Sequence, residues 1–141
     1  MLIRSITRSD LPAARVLLRQ LGYDIALAEL AARLDRVGAA VDHCVAVAEL
    51  DGQIAGLLHV FERPALEKPC EAIVQALVVE VACRGKGVGR ALMRHAETWA
   101  RTRGLASIAL HTRIDRDDAC AFYARIGYDA AATSHRMRKQ L

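Results

Sequence analysis

The chain has 141 residues, 53% of them hydrophobic and 26% charged, with a formal net charge of +4. That is enough for one domain with a real core, and no apolar run approaches the ~20 residues that would cross a bilayer. The opening Met1-Leu2-Ile3-Arg4-Ser5-Ile6 is too polar for a secretory signal, and Cys44, Cys70, Cys83 and Cys120 form no CxxC pair, so reduced thiols in the cytoplasm are expected rather than disulfides or a metal site.

In chain order, Leu2 to Ile6 alternates as an opening strand. Ser9-Asp10-Leu11-Pro12 is a helix start, followed by Leu11, Ala14, Leu17, Leu18 and Leu21 at helical spacing up to Gly22. Tyr23-Asp24-Ile25 breaks the chain before a second helix with Leu27, Leu30, Ala31 and Leu34 on its stripe. Cys44 to Leu50 and Gln53 to Phe61 are strand-like and meet at Asp51-Gly52, a hairpin signal. A loop over Arg63 to Pro69 leads to Ala72–Val81, a nearly continuous apolar run expected of a central strand covered on both faces. Val88, Leu92, Met93, Ala96 and Trp99 line a third helix that Gly104 closes, and Ala106 to Leu110 is a short buried strand. Asp115 is expected to cap a fourth helix with Asp117 and Asp118 in its first turn. Two tail strands, near Tyr128–Ala132 and His135–Lys139, complete a mixed α/β chain read as one domain over residues 1–141.

The densest signal is Arg84-Gly85-Lys86-Gly87-Val88-Gly89, between the apolar strand and the third helix. Glycines let the main chain turn tightly with its N–H groups uncovered, and the helix start adds partial positive charge. Arg84, Lys86 and Arg90 add full charges, and residues 84–116 hold eight Arg/Lys against two Asp/Glu. The combination reads as a seat for a pyrophosphate. It is not a P-loop, because Gly85-Lys86 is followed by Gly87 and Val88 rather than by Ser or Thr, and its spacing is not GxGxxG.

Arg84, Gly87 and Gly89 meet the pattern Gln/Arg-x-x-Gly-x-Gly/Ala, which resembles the acetyl-CoA signature of the GNAT superfamily of N-acetyltransferases. Ala119-Cys120-Ala121-Phe122-Tyr123-Ala124-Arg125-Ile126-Gly127-Tyr128 is similar to that family's A-x-x-F-Y-x-x-x-G-[FY] block, about 35 residues further on. The element order agrees as well. The resemblance implies a mixed, mostly antiparallel sheet of about seven strands flanked by four helices and splayed between strands four and five.

It further implies acetyl-CoA as co-substrate, without a metal. Its pantetheine arm would pair with the main chain of Leu77, Val78 and Val79, and its pyrophosphate would sit on the amides of Arg84, Gly85, Lys86, Gly87, Val88, Gly89 and Arg90. Arg116 stands where the family often carries an asparagine that bonds pantetheine; an arginine can still donate to a carbonyl or reach a phosphate. Tyr123 matches the tyrosine beside the thioester sulfur, and its phenol can return a proton to a departing thiolate.

An amine acceptor must lose a proton before it attacks. The family's strand-four glutamate corresponds here to Gln75, which cannot be a base. Glu71 on the same strand face, Glu80, His59 and His111 are the substitutes, or a water chain with no side-chain base. The acceptor pocket that the resemblance implies is built by the first two helices and the loop between strands three and four, which nominates Tyr23, Asp24, Glu62 and Arg63, together with Gln75. A small-molecule amine is the expected partner, and a homodimer is compatible with the family. A nucleic-acid surface over Arg84–Arg116 is the rival reading, but aromatic residues are 4% and Trp99 and Phe122 fall on apolar helix faces, leaving few rings for stacking.

Overall fold

A computed structural model describes all residues, 1–141. The chain packs as two compact units, Met1–His111 and Thr112–Leu141. No helix is long and apolar enough to cross a membrane.

The first unit is built on one five-stranded sheet: β1 (Leu2–Ser5), β2 (His43–Leu50), β3 (Gln53–Arg63), β4 (Glu71–Val79) and β5 (Ile108–Leu110), in that spatial order. Every pair is antiparallel except β4 with β5, which is parallel. The β2–β3 hairpin turns at Asp51 and Gly52, both left-handed with φ of 52° and 76°, the I′ geometry that matches strand twist. Three helices belong to this unit: α1 (Leu11–Gln20), α2 (Leu27–Gly38) and α3 (Val88–Thr102).

Pleating sends alternate residues to opposite faces, and each face has its own helix. On one, Ala14 and Leu17 of α1 pack with Val47, Leu57 and Val78, and Leu30 of α2 leans on the same cluster. On the other, Val88, Leu92, Met93 and Ala96 of α3 are buried, as are Leu58 and Val60 of β3. α1 begins on a buried acid. Asp10, 6% exposed, takes Arg4 through two bonds of 2.7 and 2.9 Å and the Thr7 amide at 2.8 Å. The Arg4 guanidinium holds its carboxyl far below the ordinary range, so the burial is of a compensated charge.

α3 lies close on β3 because position 56 has no side chain. A Cβ on Gly56 would stand 2.8 Å from Leu92 Cδ1, 3.0 Å from Val88 Cγ1 and 3.2 Å from the Val78 carbonyl oxygen. Gly56→Ala should therefore cost about 1–3 kcal/mol, as overpacking does. In urea the midpoint should fall with the slope unchanged; an unaltered midpoint would show that α3 yields without cost.

The structure corrects several expectations. There are five strands, not about seven: residues 129–141 are exposed without regular structure. A tail that buries nothing has no gain to set against the entropy of ordering it. β5 is three residues long: Ala106 and Ser107 are exposed, and of the two only Ser107 bonds β4, its carbonyl accepting from the Ala72 amide at 3.1 Å. In the second unit, α4 (Asp117–Arg125) begins after Arg116 with no side-chain cap. Asp115 is instead held by the Arg113 guanidinium at 2.8 and 3.0 Å.

Candidate active site

β4 carries the first element of the site. His59 of β3 faces Ala76 and Val60 faces Val74, so Gln75 is an extra residue with no partner, a β-bulge. The parallel ladder to β5 stops at the same place, since only Ala72, Ile73 and Val74 pair with Ile108, Ala109 and Leu110. Beyond it, Gln75–Val79 has β3 on one side and an open edge on the other, so a fork opens in the sheet at Gln75. The main chain of Leu77, Val78 and Val79 lines the fork. Backbone groups along an edge set in a core need external partners, and an extended amide-bearing arm supplies them as an added strand does.

The second element follows at the end of β4. A single 3₁₀ turn, Val81–Cys83, leads into Arg84–Gly87, with Gly85 and Gly87 left-handed at φ of 77° and 81°. Gly87 is the N-cap of α3, and its carbonyl takes the first helical bond, from the Ala91 amide at 3.0 Å. The amides of Gly85, Gly87, Val88, Gly89 and Arg90 donate to nothing within the chain. Val88 is buried and anchors the turn. Arg84, Lys86 and Arg90 are exposed and form no ion pair, although Arg84 Nε reaches the Val79 carbonyl at 3.5 Å. An amide array, a helix start and three uncompensated cations are the groups that holding an anion requires.

Gln20, the last residue of α1, braces this turn. Its amide donates to Glu80 at 2.8 Å and accepts from the Val81 N–H at 3.3 Å. Glu80 is thereby engaged in the scaffold.

The expected bases and acceptor contacts are placed as follows. Glu71 opens β4, four residues before the bulge, where Arg63 and Lys68 each bind it at 2.8 Å. Those cations, Lys68 foremost, hold its carboxyl below the ordinary range, which weakens it as a base. His111 is one residue past β5, directly after the Leu110–Val74 pair at which the ladder to β4 ends. Tyr23 and Asp24 lie on the α1–α2 loop, Tyr23 exposed and Asp24 3.3 Å from Arg19 and 3.9 Å from Arg15. Glu62 sits on the α3 face, paired with Arg103, whose guanidinium lies 5.0 Å over the Trp99 ring. The structure does not bring Glu62 to the face that carries α1 and α2.

In the second unit, Tyr123 is half-buried on α4, with Phe122 at 5.2 Å and Tyr128 at 6.0 Å between ring centroids. Burial pushes its phenol up, and the charge of Arg116 pulls the other way. Arg116 stands at the N-cap position of α4.

His59, one of the expected bases, lies in a cluster that sequence reasoning did not assemble. His43 Nδ1 and His59 Nε2 are 2.9 Å apart, and Phe61 stacks on His43 at 5.2 Å and 15°. The sequence offered His59 only as an isolated candidate, because its pairing with His43 depends on the strand register.

The family model described as the acetyltransferase (GNAT) family matches residues 6–128, running across both units. An aminoglycoside N(6')-acetyltransferase type 1 from Klebsiella aerogenes is 31% identical over 94 residues, 64% of this chain and 62% of that protein. A transcriptional regulator from Bacillus halodurans, 26% identical, superposes with a TM-score of 0.86 over 98% of this chain and 99% of its own. The aminoglycoside acetyltransferase AAC(6')-Iy, solved with the bisubstrate analogue CoA-S-monomethyl-acetylneamine, shares the fold at 18% identity, with a TM-score of 0.87 over 99% and 97% of the two chains. The chain spans 57%, 49% and 33% of the length of three curated relatives that it matches. With a match over nearly its whole length, the chain belongs to the acetyltransferase (GNAT) family.

Proposed function

We propose that the protein is an acetyl-CoA-dependent N-acetyltransferase acting on a primary amine of a small molecule. The observation that carries this reading is the fork at Gln75 running directly into the uncovered amides of Gly85, Gly87, Val88, Gly89 and Arg90. An extended arm along Leu77–Val79 and a pyrophosphate over the glycine turn are parts of one ligand, and CoA has both. Family membership and the Klebsiella relative support acetyl transfer to an amine.

The chemistry is direct attack. The amine nitrogen forms a bond to the thioester carbon, a β4 amide near Leu77 or Val78 stabilises the oxyanion, and the thiolate leaves with a proton from Tyr123. A phenol held above its ordinary range stays protonated at neutral pH and is available as the acid. Tyr23 and Asp24 supply the acceptor side, Asp24 with a carboxylate for a cationic amine. Arg116 supplies a donor to the pantetheine carbonyls or the phosphates.

A second reading, a CoA-binding sensor without turnover, is favoured by Gln75, an amide where the family often carries a basic carboxylate. One assay separates the two. Free thiol released from acetyl-CoA is followed across a panel of aminoglycosides, streptothricin and simple alkylamines, beside the melting temperature with acetyl-CoA and with acetate. The enzyme should release thiol with at least one amine. At a hundredfold excess over Kd, acetyl-CoA should add about 2.7 kcal/mol of stability, and acetate none. A thermal shift without thiol release would leave the sensor; no shift would remove both.

A further inference from the structure

The α1 face of the sheet changes character along its length. Under α1 it is aliphatic, with Val47, Leu57 and Val78. Past Leu57 it carries His43, His59 and Phe61, each half-buried, with ring contacts among all three. Two imidazoles removed from water in place of aliphatic residues cost free energy unless their nitrogens are used. These nitrogens are used on each other, and His43 Nε2 looks on to Asp42 Oδ1 at 3.8 Å. Asp42 is 40% exposed, so the line of groups ends in solvent. Its other end is His59, which faces Ala76 in register, the residue next to the bulge where the fork opens. Directly opposed residues have Cβ atoms about 5 Å apart, so His59 borders the part of β4 on which the acetyl group would rest.

We propose that His59, His43 and Asp42 form a proton relay that removes the proton an acceptor ammonium must lose at the fork and delivers it to water. The inference rests on the acetyltransferase reading and deepens it, because Gln75 cannot do this work. We assign the tautomers so that His59 Nε2–H donates to His43 Nδ1 and His43 Nε2–H faces Asp42, which leaves His59 Nδ1 with a lone pair. The ammonium N–H bond breaks as its proton moves to His59 Nδ1. The Nε2 proton of His59 passes to His43 Nδ1, and the Nε2 proton of His43 passes to a solvent water that Asp42, 3.8 Å away, orients. One proton leaves the amine and one reaches solvent, with no electron gained or lost. The freed lone pair then forms the C–N bond as the C–S bond breaks, and the nitrogen's second surplus proton makes good the one that Tyr123 gives to the thiolate.

The titratable groups at the pair are His43 and Asp42 from the β2 side; Phe61 and Ala76 carry no charge. Burial, helped by the charge of His43, brings His59 down to about 4. It is neutral at working pH, so it passes protons on and does not store them.

The test is the pH profile of kcat/KM from pH 6 to 10 for wild type, His59→Gln, His43→Gln and Asp42→Asn. Neamine is the first probe, then any panel amine that turns over, with the acetyl-CoA thermal shift confirming a folded, cofactor-binding protein. The histidine variants should lose about a hundredfold at pH 7. They should recover toward wild type as the pH passes the acceptor's own ammonium pKa, because solution then supplies the neutral amine. Asp42→Asn should show the same recovery from a smaller loss. A loss equal at every pH, or none, overturns the relay and leaves the acetyltransferase reading standing. Wild type that turns over no amine removes that reading and the relay with it. If His59→Gln does not fold, the more exposed His43→Gln and Asp42→Asn decide by the same pattern.

Discussion

Gly87→Val should give a folded protein whose melting temperature no longer responds to acetyl-CoA. Residue 87 has φ of 81°, a region that β-branched side chains reach only under strain. No heavy atom lies within 4 Å of where its Cβ would be, so the substitution does not overfill the core. The backbone must move, and with it the N–H groups of Gly85 to Arg90 that converge at the start of α3. Hydrogen bonds to a charged partner contribute about 1.5–3 kcal/mol each, so losing the alignment of even two should weaken binding by more than a hundredfold. Gly104→Val is the control. Position 104 has φ of 75° and equally open surroundings, but it lies past the far end of α3. It should lose comparable stability and keep the acetyl-CoA shift. Titration calorimetry on both variants separates strain from recognition, and normal binding by Gly87→Val would mean that the anion sits elsewhere.

The second large effect is on turnover. Tyr123→Phe should bind acetyl-CoA as wild type does and release thiol about a hundredfold more slowly, the low end for loss of a positioned acid. The low end is expected because a thiolate is a fair leaving group, with a thiol pKa near 8.5. The sign of the pH effect follows from the environment. Burial raises the Tyr123 phenol, so the wild-type rate should show no downturn from this group below about pH 10. The phenylalanine variant should be slower throughout that range. Equal rates from pH 6 to 9 would show that the thiolate departs unassisted.

The parts of the candidate site whose backbone shape is local in sequence were legible there as turns and helices. Arg84 to Gly89 carries its turn in its glycines, and a helix follows at once, so neighbouring residues settle the geometry. Ala119 to Tyr128 is likewise one helix and its stop. The parts that depend on register were not. From Asp51–Gly52, the pairs Leu50–Gln53 and Glu49–Ile54 continue naturally to bring His43 opposite Val60. A bulge at Ala55 moves the register by one, so that His43 meets Phe61 and Val45 meets His59. No local pattern marks that bulge, and without it the imidazole pair cannot be foreseen. Gly56 was hidden for a similar reason: its requirement comes from Leu92 and Val88, more than 30 residues away. The expected tail strands failed because alternation alone does not make a strand when nothing is buried beneath it.

Gln75 has a consequence for how this sequence can vary. Side chains along a strand change sides at every step, so one surplus residue exchanges the two sides for the rest of the strand. Val74 lies beside Val60 on the α3 face, and the surplus at 75 is what delivers Val78 to Leu57, Ala14 and Leu17 on the other. Deleting one residue here would close the fork and also withdraw Val78 from the α1 cluster, turning it toward α3. Chemistry and core are thus tied to the same count. Position 75 is free to change its side chain, and with it the proton chemistry of the fork, but the number of residues between Val74 and Val78 is fixed by the fold.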